Sequence, residues 1–384
     1  MNPTRMQTQA VAQFQCLGDQ CPETCCKGWG MQLMPQTVDK YKTDAPELMD
    51  AVSSGEAEFI MRRDPATDYC VKFDAGWCGI HKTYGDEFLG DACHFYPRIT
   101  RSLGQTVLTS AALSCPEAAR LMLFTSGALS WGERSEVRVP FSLRNVLPQG
   151  IDDTAALALH EIFLSMARDE TYDAAENLMR ASALARAIEH QPVSAWPDAA
   201  PLYLGMIDSR IPEAQAEAAD MFNLLHALQG LIAASPKQRQ TLRVLVDQMA
   251  HALGAQFPEG GAILLAPDAS TRALRLMAHM REQSVHMDDM LRRYLEAQLS
   301  QALFPFAGFG ETLTERITII GVRFATLRLA LATLPVAPSE AEVIGVVYNL
   351  SRFLDHLADP TLSLAIYRET GWIREARLRA LVGA

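Results

Sequence analysis

Two apolar stripes mark the second half of the chain. Met221, Leu224, Leu225, Leu228, Leu231 and Ile232 form one, and Val343, Val347, Leu350, Phe353, Leu354 and Leu357 form the other. Steps of three and four residues put such side chains on one face of a helical turn, so each stripe predicts an amphipathic helix with a buried side. Helix starts are signposted too. Ser235-Pro236 offers a cap followed by proline at the first helical position, and Ser339 with Glu342 is a capping box. About ten helices are expected from Asp152 onward. No two-residue alternation competes and no fixed-period repeat is visible, so this region reads as an all-α bundle or irregular helical array. The most apolar stretch, residues 317–337, is interrupted by Arg323 and Arg328. Charges at a bilayer centre are expensive, so a buried or amphipathic helix is expected there, not a membrane span.

The first 130 residues carry few periodic stretches. Turn signals recur at Leu17-Gly18-Asp19, Asp74-Ala75-Gly76 and Tyr84-Gly85-Asp86, so loops and short elements are expected. One helix is marked, by the capping box Ser114-Cys115-Pro116-Glu117 ahead of Ala118 to Phe124. Residues 131–152, with Pro140, Pro148 and Gly150, read as a connector.

Composition narrows the function classes. With 49% apolar and 21% charged residues the chain can build an ordinary core, which excludes a mainly disordered protein. A net charge of −11 without any Lys/Arg block argues against sequence-independent nucleic-acid binding. The opening Met1-Asn2-Pro3-Thr4-Arg5 is not followed by an apolar run, so no secretory signal is expected and the cytoplasm is the expected compartment.

All eight cysteines fall in the first region: Cys16, Cys21, Cys25, Cys26, Cys70, Cys78, Cys93 and Cys115. Disulfides suit exported proteins, and inert thiols do not usually cluster. Zinc, which takes four tetrahedral ligands, and an iron–sulfur cluster, which takes four thiolates in a shielded pocket, both remain open. The expected fold is therefore mainly α: a loop-rich, cysteine-rich metal-binding region over 1–130, a connector over 131–152 and an all-α helical domain over 153–384. If Cys21 begins a helical turn, Cys21 and Cys25 share a face and Cys26 points elsewhere. Cys115 at a helix N-terminus gains thiolate character from the dipole. His81 and His94 are candidate nitrogen ligands, although structural roles are the simpler reading. Cys21, Cys25, Cys78 and Cys93 are the expected quartet. A radical triad of the form C-x3-C-x2-C fails, because its third position is Gly28.

Phe14-Gln15-Cys16-x4-Cys21-Pro22-x2-Cys25-Cys26-Lys27-Gly28-Trp29 resembles the opening of the flagellin lysine N-methylase family. Trp77-Cys78-Gly79-Ile80-His81, Cys93-His94-Phe95-Tyr96-Pro97-Arg98 and Leu113-Ser114-Cys115-Pro116-Glu117-Ala118-Ala119-Arg120 follow in the family's order. Tyr294-Leu295 and Leu303-Phe304-Pro305-Phe306 resemble its helical-region signature. The first region is also similar to small zinc- or iron-chelating cysteine-rich domains. The chain departs from the family at Cys70-Val71-Lys72-Phe73, where Cys-Pro-Phe-Leu is usual. The resemblance implies methyl transfer from S-adenosylmethionine to flagellin lysines, and an iron–sulfur cluster of the 4Fe-4S type, with zinc as the alternative.

Such a reaction needs a neutral amine. A free lysine titrates near ~10.4, so neutralising it at pH 7 requires roughly 4–5 kcal/mol. Tyr96 is the candidate for orienting the amine, and Arg98 the candidate for holding a carboxylate of cofactor or substrate. No strand–glycine turn–helix signature of a nucleotide fold occurs, and residues 254–261, the one glycine cluster, read as a loop. His279-Met280, His286-Met287 and Met290 read as core and flank, and His160-Glu161 and Asp355-His356 as non-catalytic pairs. The competing function class is a non-catalytic metal-binding or redox-sensing protein whose helices form a partner platform.

Overall fold

The computed structural model describes residues 4–28, 30–54, 59–133, 140, 143–207, 217–234, 239–258, 263–355, 357 and 360–383. Trp29, the Ser235-Pro236 cap, His356 and residues 259–261 of the glycine cluster lie outside them.

The first region is built from short strands and helices. They are β1 (Thr4–Thr8), α1 (Gln9–Gln13), β2 (Gln32–Leu33), α2 (Pro35–Asp44), β3 (Val52–Ser54), β4 (Phe59–Met61), β5 (Phe73–Asp74) and β6 (Trp77–Cys78). Then come α3 (Gly79–Tyr84), α4 (Asp91–Phe95), β7 (Arg98–Leu103), β8 (Thr106–Ala111) and α5 (Pro116–Phe124), and the stretch expected as a connector adds β9 (Trp131–Glu133) and β10 (Arg144–Asn145). A mixed sheet runs β10-β7-β8-β1-β9, with β1 parallel to β8 and β7 antiparallel to β8. The loop-rich expectation is corrected here. The β7–β8 hairpin was hidden because every residue of β8 is buried, so the strand shows no apolar–polar alternation. The hairpin turns at Gly104, whose φ of +61° favours glycine.

The helical region matches its pattern. Ten α-helices follow among the described residues: α6 (Asp153–Arg168), α7 (Ala174–Glu189), α8 (Trp196–Leu204), α9 (Ala218–Ala234), α10 (Arg239–Leu253), α11 (Ala269–Gln301), α12 (Leu313–Leu331), α13 (Glu340–Leu354), α14 (Pro360–Glu369) and α15 (Glu375–Val382). Both predicted stripes are buried on α9 and α13, except that Leu357 lies beyond the end of α13 and is half-buried. The Ser339–Glu342 capping box forms as expected. A small hairpin, Ala255–Gln256 with Leu264–Leu265, departs from the all-helical pattern here among the described residues. The glycine cluster begins at Gly254, between the end of α10 and the first strand of this hairpin. Met280, Met287 and Met290 lie in the core, and His279 Nε2 is 2.8 Å from the Leu334 carbonyl oxygen.

Residues 317–331 sit in α12, whose Arg323 pairs with Asp355 at 2.8 Å. Among the described residues no helix is long and apolar enough to cross a membrane. One large core runs from Ala10 and Leu108 through α5 to the C-terminal helices. A second, smaller core gathers Leu33, Val38, Tyr41, Leu48, Met61 and Ile80. Helix α5 packs on α11 and α13, so the first region is seated on the helices.

Candidate functional site

Between the two cores lies a cavity of about 290 Å³ whose wall includes all eight cysteines. Several backbone devices bring them there. A short turn at Gly18–Gln20 separates Cys16 from Cys21. Gly18 has φ +56°, and an added Cβ would meet the Trp77 ring at 2.4 Å, so the indole of β6 closes directly over this turn. Cys21 itself is extended, and no helix runs through Pro22, Glu23 and Thr24. The shared-face argument for Cys21 and Cys25 therefore falls: the turn before Cys21 ends in an extended residue.

Cys26 and Cys70 sit on adjacent chain segments. The Cys70 amide donates to the Cys26 carbonyl at 2.7 Å, and Lys27 bridges to Tyr69. The Phe73 amide donates to the Cys70 carbonyl at 2.9 Å, and Phe73 pairs with Cys78 in the β5–β6 ladder. Cys70, Cys78 and Cys93 pack against the small core. Cys115 belongs instead to the large core, at the N-terminus of α5. The predicted capping box does not form. Cys115, one residue later than Ser114, holds the cap position without a side-chain cap bond, so Glu117 sits in the second helical position and pairs with Arg120 at 2.8 Å.

The thiols share an electrostatic environment. Burial pushes Cys93 up strongly, and repulsion from charged Cys78, Cys26 and Cys70 adds to it. Burial also raises Cys70 and Cys78, against backbone N–H groups that favour the thiolate. Cys26 is raised most by its hydrogen bond with Cys25 and next by burial. Cys115 is pushed up to about 12 by burial, and charges on Cys21 and Cys16 contribute. Cys21 is raised by burial, with smaller contributions from Cys16 and Glu117. The repulsions thus fall mainly into two sets. Cys26 acts with Cys70, Cys78 and Cys93, and Cys16 with Cys21 and Cys115, although Cys16 also acts on Cys78. Cys25 touches the first set through Cys26. A cation reverses this balance by stabilising every thiolate at once. Among the described residues, no three or more Cys, His, Asp or Glu side chains are already gathered to hold one metal ion.

The other predicted residues also reach this cavity. The Tyr96 hydroxyl is 3.3 Å from Ser114 Oγ, and burial holds its pKa well above the ordinary tyrosine value. Arg98 lies over the Phe14 ring at 5.5 Å, and its Nη1 donates to the His94 carbonyl at 3.4 Å. His94 Nδ1 is 2.8 Å from Asp86, whereas His81 is exposed on the cavity wall. The sequence reading missed Arg352 and Glu23. Arg352 comes from α13 and enters the same wall, and no local signal marks it. His160 lies away from the cavity, buried, with Nδ1 2.7 Å from the Phe304 carbonyl oxygen.

No family model matches the chain, and no solved structure matches it. Two curated relatives are named lysine-N-methylase, from Salmonella typhimurium strain LT2 and Salmonella choleraesuis strain SC-B67. Each is 25% identical over 148 residues, which cover 36% of this chain and 37% of the relative. A third, flagellar biosynthetic protein FliU of Salmonella muenchen, is 26% identical over 147 residues, covering 36% of this chain and 85% of that protein. The chain thus spans little more than a third of the length of the lysine-N-methylases it matches. The resemblance carried by the cysteine motifs is found again at this level: the chain is similar to proteins named lysine-N-methylase and FliU.

Proposed function

We propose that this protein is a protein-lysine N-methyltransferase, moving methyl groups from S-adenosylmethionine to surface lysines of flagellin, with an iron–sulfur cluster held by its cysteines. The observation that carries the reading is the coincidence of two facts: relatives named lysine-N-methylase, and eight thiols around one cavity. The donor set fits an iron–sulfur group, because thiolates are its ligands and all eight thiols line one cavity. Zinc satisfies the same thiolates and remains the alternative. Cys26, Cys70 and Cys78 are joined through backbone hydrogen bonds and the β5–β6 pairing, and Cys93 of α4 is repelled by all three, so these four are the favoured quartet; the sequence-based choice of Cys21, Cys25, Cys78 and Cys93 shares two of them. When bound, the cluster supplies a thiolate-anchored redox and charge centre.

The chemistry itself is a displacement. The lysine nitrogen forms a bond to the methyl carbon as the carbon–sulfur bond breaks, and the nitrogen loses a proton before or after. The amine must arrive neutral, which desolvation and the neighbouring sulfonium favour. Tyr96 stays a neutral phenol at working pH, so its role is to orient the amine through hydrogen bonding and not to remove its proton. Arg98, lining the same wall, offers a fork for a carboxylate.

The non-catalytic, redox-sensing alternative draws on the exposure of Cys16 and Cys25. The test starts with anaerobic purification, which should give brown protein with iron and acid-labile sulfide. Stoichiometric zinc without sulfide contradicts the iron–sulfur reading. Labelled S-adenosylmethionine should then transfer its methyl to flagellin, and a loaded protein that transfers none supports the sensor reading.

A further inference from the structure

A second cavity, of about 340 Å³, lies on the other face of the Tyr96-Pro97-Arg98 segment. Its polar wall is built from donors. Arg98 and Arg101 reach it from β7, and Arg316 and Arg323 from α12, with Gln298 and Gln301 of α11 between them. Asp355 is the single carboxylate on this wall among the described residues, and it is already paired with Arg323 at 2.8 Å.

The other guanidinium groups have neutral partners. Arg101 donates to the Gln301 carbonyl, and Arg316 to the carbonyls of Gly310 at 3.0 Å and Pro305 at 2.6 Å. Arg98 has the His94 carbonyl and the Phe14 ring. Carbonyl oxygens satisfy hydrogen bonds but neutralise no charge.

Two further donors are buried without any partner. Gln298 is 3% exposed and Gln301 8%, and the Nε2 of each lacks a hydrogen bond. For Gln298 the orientation is fixed by its neighbour: Oε1 accepts from Arg323 at 3.2 Å, which leaves the amide N–H groups over. Turning the amide round would set N–H against guanidinium. A buried donor without a partner costs about 1–3 kcal/mol, so a pair of them beside Arg98 and Arg101, which hydrogen-bond only to carbonyl oxygens, describes a wall suited to acceptors.

We propose that this cavity binds a small multivalent oxyanion, an organic phosphate or a polycarboxylate. Four guanidinium groups against one carboxylate favour a ligand with at least two negative charges, and planar forks pair with phosphate and carboxylate oxygens alike. The lowered pKa of Arg101, set by burial and then by Arg144, and that of Arg316, set chiefly by burial, fit the same picture, since an anion relieves both. A single positively charged zwitterion such as S-adenosylmethionine matches this wall poorly. Because Tyr96, Pro97 and Arg98 line both cavities, a ligand here touches the segment that also walls the thiols. The site stands independently of the methyltransferase reading.

Titration calorimetry of the purified protein at fixed ionic strength tests this, with pyrophosphate, citrate and methionine as probes. Saturable binding of pyrophosphate or citrate is expected, and the probe that binds more tightly names the source. Gln298→Glu, which sets a carboxylate among the donors, should weaken that binding at least tenfold while thermal melting stays cooperative. If Gln298→Glu does not fold, Gln301→Glu serves in its place. No saturable binding of either anion overturns the proposal, as does equal binding of methionine or unchanged affinity in a folded variant.

Discussion

Arg352 of α13 donates to the carbonyl oxygen of Lys27 and lies 3.4 Å from the Glu23 carboxylate. A residue of the last third of the chain thereby grips the Cys25-Cys26 loop. The Arg352 side chain is about four-fifths buried, so its bonds are partly shielded from competing water.

Arg352→Leu should therefore loosen this loop. The expected loss is about 1–2 kcal/mol of stability, the size of a charge-assisted hydrogen bond. Bound iron should also pass to a chelator several-fold faster than in the native protein. Chelator-release kinetics check this, and an unchanged release rate contradicts the clamp.

Single Cys→Ser changes should sort the thiols. At Cys26, Cys70, Cys78 and Cys93, metal content and melting temperature should fall together, because metal-binding free energy is also folding free energy. At Cys16, Cys21 and Cys115, metal content should hold. Loss at Cys21 and Cys25 with retention at Cys26 and Cys70 favours the quartet expected from sequence spacing instead. Metal analysis of each variant decides between them.

The helical turn expected between Cys21 and Cys25 is not the path the backbone takes. Cys21 and Cys25 are four apart, yet no helix joins them. Cys26 and Cys70 are far apart in sequence and adjacent in space through one amide–carbonyl bond. Helices were legible because α9 and α13 each bury one face, which leaves a period in the sequence. Strand β8 buries both faces and leaves none. Tyr96 and Arg98 were legible through their motif. Arg352 and the Gln298–Gln301 wall were not, since only tertiary packing brings them to their cavities.

Tyr96→Phe should lower methyl transfer roughly three- to tenfold, the worth of one hydrogen bond. The shape of the pH profile of kcat/KM should not change, because burial keeps this phenol neutral throughout the working range. A lost or displaced limb in the profile contradicts an orienting role.

His160 predicts a pH dependence of stability. Burial lowers its pKa from 6.5 to about 4, outweighing the bond to the Phe304 carbonyl. Between these values the unfolded chain binds the proton and the folded one does not, so stability is full above pH 6.5 and falls as pH drops toward 4. The total is on the order of 3 kcal/mol. Urea unfolding at a series of pH values should show this slope, and His160→Gln should flatten it. An equal slope in the variant contradicts the assignment.

The central claim is lysine methylation of flagellin. Mass spectrometry of flagellin co-expressed with and without this protein tests it most directly. The account predicts surface lysines heavier by whole methyl groups only when the protein is present, and no such shift with the Cys70→Ser variant. Unchanged lysine masses, with the native protein folded, loaded with metal and supplied with S-adenosylmethionine, would contradict it.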